Sequence, residues 1–235
     1  MTEKVNRLLV IGLGLIGGSL AKAARERGLC REVIGCSRSP ETLVKAMDAG
    51  VVDRVVERLE DVAGELGEND VVVIGVPTLT VPVIVRQLQP LLAGTVTVTD
   101  VASVKGSVVT AVSEIYGEVP AQFVPGHPIA GSEKSGVEAV NPTLFEDHRV
   151  ILTPVSETGG DHILRVRQLW QGVGAVVTEM AVADHDEILA ATSHLPHLLA
   201  YSMVDTLSNM RENQEIFRYA AGGFRDFTRI AASDA

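Results

Sequence analysis

The groups in this chain best suited to chemistry are an imidazole, a guanidinium and a glycine-rich turn. His127 lies in Gly126-His127-Pro128-Ile129-Ala130-Gly131-Ser132-Glu133. Glycine and proline fix that loop, and an imidazole held in place near neutral pH is fit to take a proton. Asp100-Val101-Ala102-Ser103-Val104-Lys105-Gly106 follows an apolar run, where open α/β sheets bind ligands. Ser193-His194-Leu195-Pro196-His197 sets two histidines around a proline whose kink frees a backbone carbonyl for a histidine N–H. Ser193, His197 and Tyr201 are four apart and share one helix face. Gly222-Gly223-Phe224-Arg225-Asp226-Phe227-Thr228-Arg229 closes the set. There Phe224 and Phe227 are expected to pack inward. Arg225 is expected to pair with a carboxylate at the surface or an interface, and Arg229 to offer its fork to a substrate carboxylate. A metal site of His185, His194 and His197 is the weaker reading, because the spacing is not H-E-x-x-H and no thiolate joins it.

A second site stands at the front of the chain. Gly12-Leu13-Gly14-Leu15-Ile16-Gly17 is a G-x-G-x-x-G motif between a strand candidate and a helix candidate. The first glycine allows the turn, the second lets backbone approach a pyrophosphate, and the third lets helix and strand pack. The helix N-terminus adds free N–H groups and partial positive charge. Gly12, Gly14, Leu15, Ile16 and Gly17 are therefore expected at the cofactor, with Val76 at the end of a later strand. An NAD site usually carries Asp or Glu after the second strand. This chain has Ser37-Arg38-Ser39 there. Arg38 can pair with a 2′-phosphate and the serines can donate to it, so NADP is preferred, with NAD the alternative. The plainer reading of Arg38 is a solvated loop residue.

These groups need elements to hold them. Short apolar runs at residues 7–11, 32–36, 70–76 and 95–99 read as buried parallel strands. Helical stretches at 16–27, 40–49, 81–92 and 103–115 alternate with them, and Gly28, Gly50 and Pro77 act as stops. Residues 122–124 and 149–152 are expected as added edge strands, and 163–171 with 175–178 as one more αβ pair. This is the pattern of a Rossmann doubly wound, mostly parallel sheet. From 184 to 209 the pattern is one helical stretch kinked at Pro196, with an apolar stripe of Ile188, Leu195, Leu199, Met203 and Leu207. The expected division is a dinucleotide-binding domain at 1–180 and a smaller all-helical domain for substrate and dimerisation at 181–235.

Bulk properties narrow the function classes. Of 235 residues, 46% are hydrophobic and 21% charged, as in ordinary globular proteins. A net charge of -10 argues against broad nucleic-acid binding. Cys30 and Cys36 make no disulfide framework or metal quartet and suit a reducing cytoplasm. Lys4 and Arg7 precede an apolar run that Gly12 and Gly14 interrupt, too short for a signal peptide or membrane helix.

Taken together, residues 10–20, 100–106, 126–136, 190–200 and 217–234 resemble the prephenate dehydrogenase family, including the cyclohexadienyl dehydrogenases of tyrosine synthesis. The combination GHPIAGSEKSG, ATSHLPHLLA and GGFRDFTRIA carries the resemblance. It implies oxidative decarboxylation of prephenate or arogenate with hydride transfer to NAD(P). It implies that His127 accepts a hydrogen bond from the ring 4-hydroxyl and that Ser103 holds the same hydroxyl on the nicotinamide side. His197 would line the substrate pocket with Ser193 and Gly222, and Arg229 would bind a carboxylate. Charges such as Glu133 and Arg225 gate the pocket in such enzymes. The resemblance also implies a homodimer built by helices that continue past Ala235, and in some relatives a fused downstream enzyme of aromatic synthesis.

Two other readings compete. A β-hydroxyacid dehydrogenase would need a catalytic lysine on its helical domain, yet no lysine lies beyond Lys134. A module that senses NAD(P) without turnover would explain the glycine motif, but not His127, His197 and Arg229.

Overall fold

The computed structural model describes residues 5–211 and 213–232. Lys4, Ala235 and positions 233–234 of the C-terminal motif segment lie outside them. The chain builds β1 (Val5–Ile11), α1 (Leu15–Glu26), β2 (Cys30–Cys36), α2 (Pro40–Asp48), β3 (Arg54–Val56), α3 (Glu60–Ala63), β4 (Val71–Ile74), α4 (Val81–Leu88), β5 (Thr97–Asp100), α5 (Gly106–Tyr116) and β6 (Phe123–Val124). These strands form one parallel sheet in the order β3-β2-β1-β4-β5-β6. The order reverses beside β1, so a crevice opens at the carboxyl ends of β1 and β4, where such folds bind ligands. Leu8 and Val10 of β1 enter one core, and Leu9 and Ile11 enter the core on the opposite face. Burial on both faces explains why the strand reads as an unbroken apolar run.

Residues 149–152 do not extend this sheet as expected. β7 (Gly126–Ile129), β8 (Arg149–Leu152) and β9 (Val176–Glu179) make a separate three-stranded sheet, with β7 antiparallel and β9 parallel to β8. His127 thus sits on a strand, not in a loop. Pro128 hides that strand from a sequence reading, since it lacks an N–H; β7 tolerates it because it is an edge. β3 and α3 were not anticipated either. The helix expected from 103 starts at Gly106, which leaves Ser103 in the loop. The expected αβ pair is α6 (Gly160–Gly172) and β9.

The C-terminal region contains α7 (Val182–Leu189), a π turn at Ala190–His194, α8 (Leu195–Ser208), α9 (Asn213–Arg218) and α10 (Gly222–Thr228). The single kinked helix is therefore broken one step before Pro196. The proline falls in the first turn of α8, where its missing N–H is no loss, and the wide turn absorbs the mismatch. The apolar stripe is not buried within the chain: Ile188, Leu195 and Leu199 are about half exposed. Among the described residues no helix is long and apolar enough to cross a membrane.

Candidate active site

At the carboxyl ends of β1, β2 and β4 lies a cavity of about 540 Å³ lined by Gly12, Gly14, Ser37, Arg38, Ser39 and Val76 among others. Backbone bonds tie these strand ends together. Gly12 donates to the Cys36 carbonyl at 2.9 Å, and Gly75 donates to the Ile11 carbonyl at 2.7 Å. Gly12 has φ +94°, and a Cβ there would stand 2.4 Å from the Gly75 oxygen. A Cβ on Gly17 would stand 2.1 Å from the Gly12 oxygen, so this glycine serves helix packing rather than the cavity. A Cβ on Gly14 would meet no protein atom within 4 Å. That open space at the N-cap of α1 fits a pyrophosphate drawn to the free N–H groups of the helix's first turn. Leu15 and Ile16 lie in that turn; their side chains pack against the core and do not line the cavity.

The segment after β2 is partly committed to local structure. Ser39 caps α2 by accepting from the Thr42 amide at 3.2 Å, and Ser37 Oγ accepts from the Ser39 amide at 3.2 Å. Both hydroxyl protons remain free to donate. Arg38 is exposed at the cavity wall. Glu57, Arg58 and Glu60 also line it, unforeseen in the sequence, and Arg58 pairs with Glu60 at 3.4 Å. Burial, and then the charges of Asp61 and Glu60, push the Cys36 thiol up to about 11, so it stays protonated at the cavity edge.

A second cluster, the candidate catalytic end, is assembled around His127. Lys105 and Asp100 are fully buried and paired. Lys105 Nζ also donates to the Gly126 carbonyl at 2.7 Å, and Asp100 accepts from the Gly126 amide at 3.3 Å. This pair therefore grips both backbone groups of the residue before His127. It brings β7 beside the loop that carries Ser103. Burial pushes the Lys105 pKa down, opposed by the adjacent Asp100 carboxylate. His127 Nδ1 lies 2.9 Å from His185 Nε2, and His185 Nδ1 lies 2.8 Å from Asp186 Oδ1. Burial, then the charges of Lys105, His185 and His194, hold His127 down to about 3. It is neutral across physiological pH, as a proton acceptor must be.

His197 Nδ1 donates to the Ser193 carbonyl at 2.9 Å, the bond expected from the interrupted helix, and its ring lies 6.5 Å from that of Tyr201. Arg229 donates to Glu133 at 3.1 Å. That contact ties the end of the chain to the loop after β7, and Gly136 and Val137 of the same loop line the nucleotide cavity. Gly222 opens α10 and is exposed. Phe224 packs on Phe217 with ring centroids 6.0 Å apart, but Phe227 is 44% exposed rather than inward. Arg225 is exposed and makes no ion pair among the described residues, so the carboxylate partner expected for it is not seen there. His185 spends both ring nitrogens on His127 and Asp186, which removes it from the alternative metal set. The sequence reading names His185 only for the weaker metal site and does not name Asp186, because their partners here lie 58 and 81 residues away.

Two family models cover the chain: "Prephenate dehydrogenase, nucleotide-binding domain" matches residues 20–179, and "Prephenate dehydrogenase, dimerization domain" matches 181–235. The cyclohexadienyl dehydrogenase of Zymomonas mobilis is 35% identical over 232 residues, covering 97% of this chain and 76% of its own length. The prephenate dehydrogenase of Bacillus subtilis is 36% identical over 237 residues, covering 99% of this chain; the chain spans 62% of that relative's length. A solved prephenate dehydrogenase from A. aeolicus, in complex with hydroxyphenyl propionate and NAD+, superposes with a TM-score of 0.90 at 38% identity. That match covers 100% of this chain and 80% of the solved one.

Proposed function

This chain belongs to the prephenate dehydrogenase family, and from that membership we propose that it oxidises and decarboxylates prephenate, or arogenate, in tyrosine biosynthesis. The observation that carries the reading is the neutral imidazole of His127, set beside the Ser103 loop at the carboxyl end of β5 by the Lys105 grip on Gly126. A bound nicotinamide would supply a hydride acceptor. Ser103 and His127 hold the ring hydroxyl, and its proton passes toward His127 as the C4–H bond breaks. The C1 carboxylate then leaves as CO2, its electron pair enters the ring, and the aromatic phenol regains the proton. His197, Ser193 and Gly222 border the substrate and Arg229 pairs with its remaining carboxylate. Glu133 holds that guanidinium now, but both side chains are more than half exposed, so an incoming carboxylate replaces it at little cost.

For the cofactor, the exposed Arg38 and the absence of a carboxylate directly after β2 support NADP over NAD. The half-exposed apolar residues of α8 support a homodimer through residues 181–235, with residues 1–180 as the nucleotide-binding unit. Two reduced, buried cysteines suit the cytoplasm. The test is an initial-rate assay with prephenate and arogenate against NAD+ and NADP+ in all pairings. Reduction with at least one pairing, better with NADP+, is expected; cofactor binding without reduction in any pairing would instead support a sensor.

A further inference from the structure

We propose that His185 and Asp186 are positioning residues that select, from the helical region, which nitrogen of His127 faces the substrate. The inference rests on the reading of His127 as proton acceptor given above. Asp186 is a carboxylate and only accepts, so the nitrogen 2.8 Å from it, His185 Nδ1, carries the proton. With that single ring proton, His185 presents a bare Nε2. That nitrogen is 2.9 Å from His127 Nδ1, which must be the N–H donor. His127 is left with Nε2 bare, the form that accepts the hydroxyl proton. With one proton on each ring, the partners fix both tautomers.

The anchor is itself fixed. Asp186 accepts from the Lys105 amide at 2.9 Å and the Gly106 amide at 2.8 Å, at the N-terminus of α5. Burial works against its charge, but these amides and the His185 N–H more than offset it and hold its carboxyl below the usual range. A Cβ on Gly106 would stand 2.8 Å from Asp186 Oδ2, so the clamp requires glycine there. The contacts close a ring: Asp186 to His185, His185 to His127, Gly126 to Lys105, and Lys105 back to Asp186. β7, α5 and α7 all contribute, so the acceptor is set only when α7 is docked on the nucleotide-binding unit.

The arrangement also serves the charged state. Breaking the substrate O–H bond puts a proton on His127 Nε2 while the hydride leaves C4 and the substrate is oxidised. The resulting imidazolium sits near the buried Lys105 cation, and the line through His185 to the Asp186 carboxylate offsets that repulsion. When CO2 departs and the ring becomes aromatic, the proton returns to the phenol oxygen, and no net proton is released.

Two measurements on the full chain test this. Nitrogen-15 NMR of histidine-labelled protein should show His127 and His185 both protonated at Nδ1 and bare at Nε2. Finding His127 protonated at Nε2 would overturn the proposal, whether or not the protein oxidises prephenate. The predicted tautomers in a protein that oxidises neither substrate would uphold the positioning and refute the assigned reaction. His185→Gln leaves the Asp186 clamp on α5 in place. It should cut kcat about 10- to 100-fold with substrate KM and cofactor Kd near wild type. Asp186→Asn should cost kcat at least as much and shift the His185 signal toward Nε2–H. An unchanged kcat in His185→Gln, or losses that appear only in KM and Tm, would reduce the pair to a structural contact.

Discussion

β1 and α8 solve the same problem differently. Leu8, Leu9, Val10 and Ile11 are all buried and divide between two cores of one sheet. In α8, of 14 residues only Ala200 is buried, while Leu195, Leu198, Leu199 and Tyr201 stay about half exposed. The nucleotide-binding unit encloses its own apolar surface; the helical region carries apolar surface that the described residues do not cover. Yet the helical region supplies His185, Asp186, His197 and Arg229. The difference teaches that the nucleotide cavity is local to one unit, whereas the groups around His127 include His185 and Asp186 from a region whose apolar faces the described residues leave open.

The largest effect should come where the two regions meet. His127→Asn is expected to lower kcat by about 10²- to 10⁴-fold while cofactor affinity, measured by fluorescence titration, stays near wild type. A comparable loss of cofactor binding would blur the division. Next, Arg229→Ala removes a charge-assisted contact of about 1.5–3 kcal/mol and should raise substrate KM roughly 10- to 100-fold, with kcat less affected. An unchanged KM would remove Arg229 from the substrate. Within the glycine motif, Gly17→Ala should cost about 1–3 kcal/mol of stability by overpacking. Gly14→Ala, in open space, should leave Tm alone and weaken the cofactor instead. Equal thermal shifts in the two would contradict the assignment of packing to one and phosphate approach to the other.

Two smaller effects separate the regions further. Leu198→Glu, at a position 62% exposed, should reduce self-association in sedimentation experiments without unfolding the nucleotide-binding unit. The sheet's other end holds a pH-dependent contact. Thr97 Oγ1 accepts from Arg165 at 2.7 Å and lies 2.7 Å from His162 Nδ1. Burial and then Arg165 hold His162 below the usual imidazole range. The fold favours neutral His162, so its contribution is present above the unfolded value of about 6.5 and is lost as pH falls below it. Urea titrations across that window should show a shallower pH slope in His162→Gln than in wild type; equal slopes would assign the sensitivity elsewhere.

How much was legible follows from the range of the contacts. β1, the glycine turn and Arg38 are neighbours in sequence, and their signals are local: an apolar run, a strand-to-helix glycine pattern, a basic residue after a strand. His127 stood out as a histidine between glycine and proline, and Arg229 as an arginine after an aromatic-lined segment. The strand under His127 did not, because Pro128 argues against it and its partner is β8, across a long intervening loop. His185 and Asp186 gain their roles only through contacts 58 and 81 residues away, which no spacing rule reports. The π turn before Pro196 was likewise hidden, since helical periodicity survives a single wide turn.

The most direct measurement is a crystal structure of the chain with a nicotinamide cofactor and a ring-hydroxylated substrate analogue. The account predicts the analogue's hydroxyl within hydrogen-bonding reach of His127 Nε2 and Ser103, with its ring facing the nicotinamide. It also predicts the analogue's carboxylate on Arg229, in place of Glu133. An analogue bound elsewhere, or a His127 that turns Nε2 away from the cofactor crevice in every subunit, would contradict it.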